Sequence, residues 1–120
     1  MDEERLSDLV ARLDRQLRRF PADARCADCK ERHRLLLCRS GQAVVCYRCR
    51  VRRRGRPQWE LHHLGGRPSD VTVPVPPNLH RLLTSLQELW RGWLEPGTNE
   101  AILIDLYIWR VLAPSFPGTP

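Results

Sequence analysis

The chain has 120 residues, 42% of them hydrophobic and 28% charged, with ten prolines and seven glycines. That length gives one moderate domain or two small modules, which excludes a large enzyme, and no apolar run reaches the roughly 20 residues of a membrane span. The net charge is +6, and residues 25–56 concentrate it: eleven basic residues stand there against two acidic ones, while each remaining stretch is near neutral.

Residues 4–20 read as a helix, because Leu6, Leu9, Leu13, Leu17 and Phe20 recur at spacings of three and four. Pro21 ends it. The stripe is a packing face, against the rest of the chain or a second copy. The opening MDEERLSDLV is acidic and amphipathic, without the basic start and apolar block of a signal peptide, so a reducing, cytoplasmic setting is expected.

Residues 22–57 form a cysteine module with a basic linker. Cys26 and Cys29 make one CxxC pair and Cys46 and Cys49 another, sixteen residues further on. Each pair makes a tight turn that aims two sulfurs at one point, and two pairs complete the tetrahedral thiolate shell of a structural Zn²⁺. The intervening stretch suits a hairpin turning at Ser40 and Gly41. Cys38, beside three leucines, reads as a buried thiol, and His33 as a surface residue. VRRRGRP at 51–57 reads as a basic turn. Arg48, Arg50, Arg52, Arg53, Arg54 and Arg56, with Arg67 and Arg81 further along, are the candidate nucleic-acid-binding residues, since guanidinium groups clamp phosphates bidentately.

Residues 58–95 predict two short strands, Gln58 to His63 and Val71 to Val75, around a turn at Gly65 and Gly66. A helix from Asn78 to about Leu94 follows Pro76 and Pro77. Residues 96–120 hold a last helix, capped by Thr98 or Asn99 and running to about Ala113. It is apolar nearly all round, so it is either deeply buried or a surface for a homodimer or protein partner.

The second module places His62 and His63 at a strand end and His80 on the helix, with sixteen residues between His63 and His80. The stretch ELHHLGGRPSDVTVPVPPNLHRLLTSLQELW, behind a cysteine-rich module, resembles the HNH endonuclease family, in particular its small bacterial members. The resemblance covers about residues 26–93 and implies an α+β fold: a zinc knuckle module joined to a ββα-metal motif, with flanking helices. It implies that His62 and His80 ligate a catalytic divalent ion, Mg²⁺ or Mn²⁺ first and Ni²⁺ or Zn²⁺ as alternatives, and that His63 is the general base. It implies for Asn78 the middle role that holds the hairpin loop and the base, with Asp70 as the alternative. Arg67 and Arg81 would clamp phosphates, and Glu60 could orient His62 or equally be an exposed strand residue. The expected function is hydrolysis of DNA phosphodiesters, with double-stranded DNA as partner and low intrinsic sequence specificity. The alternative is a non-catalytic zinc protein that binds nucleic acid through a degenerate site.

Overall fold

The computed structural model describes residues 3–116. They form an α+β fold with four helices and two small antiparallel sheets. Helix α1 spans Glu3–Leu17. It is followed, after an irregular stretch, by strands β1 (Leu37–Ser40) and β2 (Ala43–Cys46) and helix α2 (Tyr47–Arg53). Strands β3 (Glu60–His63) and β4 (Thr72–Val75), helix α3 (Pro77–Trp90) and helix α4 (Asn99–Leu112) complete the chain order. Among the described residues no helix is long and apolar enough to cross a membrane.

Two cores organise these elements. The first gathers Phe20, Leu37, Cys38 and Val45 around Cys26, Cys46 and Cys49. The hairpin that carries it pairs Leu37 with Cys46 and Ser40 with Ala43, and Gly41 takes the left-handed conformation (φ 61°) the turn demands. The second core is Val75, Leu79 and Leu83, covered by Ile108, Trp109 and Leu112 of α4 and by Phe116 beyond it. Here β3 pairs with β4 in the register Glu60–Val75 to His63–Thr72. Pro77 sits in the first turn of α3, where its missing N–H costs nothing, and the carbonyl of Pro76 accepts the first helical bond, from His80.

Three departures from the sequence reading have plain causes. The stretch from Val51 to Arg53, expected as part of a basic turn, is the last turn of α2; arginine is a good helix former and no breaker intervenes before Gly55 (φ 64°). Helix α1 stops at Leu17 and leaves Leu6 and Val10 about half exposed, so only Phe20 of its stripe is buried. It meets α3 through polar groups instead: Gln16 Nε2 donates to the Ser85 carbonyl and to Glu88, and the Arg12 guanidinium to the carbonyls of Glu88 and Arg91. Helix α4, capped by the Thr98 hydroxyl at the Ala101 N–H, is neither fully buried nor free. One face packs on α3, while Leu103, Ile104, Tyr107 and Val111 stay exposed.

Candidate functional site

The four cysteines converge as their spacing requires. The first pair lies in a knuckle closed by the Lys30 N–H on the Cys26 carbonyl, with Lys30 held at φ 69°, a conformation a non-glycine residue adopts only when its surroundings impose it. Cys46 caps α2 and Cys49 lies in its first turn. The four sulfurs lie within 4.8 Å of one another, and Cys29 and Cys46 are 3.6 Å apart. A tetrahedron with metal–sulfur bonds of about 2.3 Å has edges of about 3.8 Å, so the cluster has the size a zinc ion needs.

Its electrostatics ask for a cation. Burial would raise the Cys26 thiol, yet N–H groups of Cys29, Cys46 and Asp28 aimed at its sulfur bring it down to about 6. Burial pushes Cys46 and Cys49 up, and for Cys49 the neighbouring sulfurs push further. Four thiolates share this volume only if a positive ion joins them. Cys38 lies outside the cluster, buried, its thiol raised by burial and partly offset by the Arg50 guanidinium. His33 is exposed, and its Nδ1 accepts the Leu35 N–H to start a short 3-10 turn.

Asn78 belongs to this cluster's surroundings. Its Oδ1 accepts the N–H of Arg48 at 2.8 Å, and its side chain hydrogen-bonds Cys46, so it ties α3 to the second knuckle. The sequence reading gives it the hairpin loop. Ser69 does that work: buried, its Oγ accepts the Val71 N–H, its own N–H donates to the Gly66 carbonyl, and its carbonyl accepts from His63. Asp70, the alternative, is exposed.

His62 and His80 come together where β3 meets α3, with His63 beside His62 in the strand. The rings of His62 and His80 are 5.4 Å apart at their centroids and meet edge to face. The Nδ1 of His63 lies 3.0 Å from the Ser69 carbonyl oxygen, which can only accept, so the proton is on Nδ1 and the lone pair on Nε2. Burial pulls the His80 imidazole below its ordinary value; the Glu60 carboxylate, 3.6 Å from Nδ1, opposes this, and His62 and Arg67 add to it. Glu60 therefore serves His80, not His62 as expected from sequence.

The partner of His62 is Asp105, on α4. Both side chains are almost fully buried, and Nε2 of His62 lies 2.9 Å from Oδ2 of Asp105. The same oxygen accepts the Gly65 N–H at 2.8 Å and Gln87 Nε2 at 2.6 Å. Gln87 donates its other hydrogen to the His63 carbonyl. Both amide hydrogens of Gln87 are thus used, so Nε2 of His62 is the donor to Asp105 and its lone pair lies on Nδ1. A carboxylate on the far nitrogen is what fixes the tautomer and orientation of a metal-binding imidazole. Gly65 is needed for the approach: at φ 78°, an added Cβ would stand 2.8 Å from the backbone nitrogen of Ile102 on α4. Sequence reasoning missed Asp105 and Gln87. The signal was present for Asp105, the lone acid in AILIDLYIWRVLA, since a charge in an apolar helix is buried only with partners.

The arginines divide. Arg53 makes a bidentate pair with Asp28 (2.7 and 2.8 Å), the Arg48 guanidinium bonds the Cys29 sulfur, and Arg50 the Cys38 thiol. Arg81 stacks over the Tyr47 ring at 5.3 Å. Arg52, Arg54, Arg56 and Arg67 are exposed. No family model, curated protein or solved structure matches this chain.

Proposed function

We propose that the chain is a metal-dependent endonuclease of the HNH type, which hydrolyses phosphodiester bonds in nucleic acid, and that its cysteine cluster holds a structural zinc ion. The observation that carries the reading is the edge-to-face approach of His62 and His80 at the hairpin–helix junction, with His63 next to His62 in the strand. His62 has its Nε2 fixed on Asp105 and its Nδ1 free, His80 has its Nδ1 toward Glu60 and its Nε2 free, and His63 has its Nδ1 on a carbonyl.

The first two, with ring centroids 5.4 Å apart, are the residues that would hold a shared divalent ion. Two protein nitrogens leave positions for waters and phosphate oxygens, as Mg²⁺ or Mn²⁺ prefers. Such an ion would supply positive charge to the transition state and to the leaving 3′-oxygen.

His63 acts as the base. Its Nε2 lone pair takes a proton from the attacking water, and the Ser69 carbonyl holds the ring and stabilises the imidazolium that results. Burial keeps His80 neutral near pH 7, the form that can ligate. Arg67, whose charge is felt at His80, and Arg81, one residue along α3, would hold the phosphates that flank the cleaved bond.

The test is nicking of supercoiled plasmid by the zinc-loaded protein with added Mg²⁺ or Mn²⁺. Metal-dependent nicking that His63→Ala abolishes is expected. A protein that shifts the plasmid on a gel but cuts with neither ion would instead be a non-catalytic nucleic-acid-binding zinc protein.

A further inference from the structure

A second feature lies beside the histidines. A cleft of about 340 Å³ runs between α2 and the start of β3, walled by Tyr47, Arg50, Arg54, Arg56, Trp59 and Glu60. Trp59 is 52% exposed, next to a strand whose neighbouring residues are tied down by pairing. Arg54 and Arg56 pair with no carboxylate among the described residues, and the one acid in the wall, Glu60, faces His80. The cleft thus offers an exposed indole beside two arginines that pair with no carboxylate among the described residues.

We propose that this cleft takes an unpaired nucleobase, stacked on Trp59 with its phosphates on Arg54 and Arg56, so that the substrate class is single-stranded nucleic acid or duplex with an unpaired segment. An arginine cluster alone would attract any polyanion. The indole narrows the choice, because it asks for a flat π-face, and a paired duplex keeps its base faces inside the stack. A nucleotide with a free base is the ligand that carries both the anion and the exposed face. Two walls of the cleft also touch the histidine site. Tyr47 carries the Arg81 guanidinium, next to His80 in sequence, and Glu60 reaches His80 itself. A strand leaving the cleft on that side runs on to the proposed cutting centre.

The inference rests on the nuclease reading for its biological sense but is tested by binding alone. The zinc-loaded His63→Ala protein, which cannot cut, is titrated onto a fluorescein-labelled single strand and onto a blunt duplex of the same sequence, at low salt without added divalent ion. Anisotropy should show that Trp59→Ala weakens single-strand binding roughly tenfold, leaves duplex binding within about twofold, and that Trp59→Phe keeps most of the affinity. Arg54→Ala should weaken both, by a salt-dependent amount. An equal loss on both substrates, or single-strand affinity unchanged in Trp59→Ala, overturns the stacking site and leaves the nuclease reading standing. Absence of binding to either substrate overturns both.

Discussion

Asp105→Ala is the sharpest perturbation of the buried network. It removes the acceptor shared by the Gly65 N–H, Gln87 Nε2 and Nε2 of His62. Gln87 keeps its bond to the His63 carbonyl, but the Gly65 and His62 donors lose their acceptor, in a place with about 1% exposure. Each buried donor left unpaired costs about 1–3 kcal/mol, so a loss of about 2–6 kcal/mol is expected for the two. That equals a large part of the stability of an ordinary domain, about 5–15 kcal/mol. The assay is urea unfolding followed by tryptophan fluorescence, with zinc present throughout. Tyr107→Ala, on the same helix but 71% exposed, is the control, and should stay within about 0.5 kcal/mol of wild type. Asp105→Asn keeps the shape and one acceptor, so it should fold, yet it should bind Mn²⁺ about tenfold more weakly because His62 loses its orienting carboxylate. An Asp105→Ala midpoint no lower than that of Tyr107→Ala would refute the argument.

Other consequences follow from particular contacts. Gly65→Ala drives a methyl into Ile102 at a left-handed backbone position and should cost roughly 2 kcal/mol or more, whereas Gly41→Ala, with nothing within 4 Å, should cost only about 1–2 kcal/mol; the same unfolding curves compare them. Because the protons of Cys46 and Cys49 must be displaced by the ion, zinc affinity should fall as pH falls, measured with a competing chromogenic chelator; affinity that does not change between pH 8 and pH 6 would contradict the cluster's electrostatics. A strong chelator should also lower the melting temperature of the whole protein, since the cysteines are part of its first core; an unchanged melting curve after zinc has left would count against that. His80 is held below its ordinary value by burial, so the folded state binds fewer protons there than the unfolded state. Its stabilising contribution is whole above the unfolded value of about 6.5 and is lost as pH falls through the folded value. Without added metal, wild type should lose more stability between pH 7 and pH 5 than His80→Gln, and parallel curves would be the contrary result.

What was legible in the sequence was local. A CxxC pair imposes its own turn, so the cysteine cluster could be placed from spacing alone, and the Gly-containing hairpins and the Pro76–Pro77 helix start came with it. Helix α2 was hidden because a run of arginines reads as solvated surface, although nothing in it breaks a helix. The second sphere of the histidine site was out of reach for a different reason. Asp105 lies 43 residues from His62, and only the packing of α4 on α3 brings it there. Nearness in sequence offers Glu60 to His62 or to solvent, while the helix places His80 against it. Asn78 was read through the family pattern, and its oxygen went to the knuckle because α3 starts against α2.

The most direct measurement is the single-turnover rate of plasmid nicking by wild type and His63→Gly with saturating Mn²⁺, each with and without free imidazole. Removing a general base costs about 10²–10⁴-fold. A loss of that size in His63→Gly, partly restored by imidazole that leaves wild type unchanged, is the predicted result. Nicking by His63→Gly at the wild-type rate would contradict the proposed chemistry.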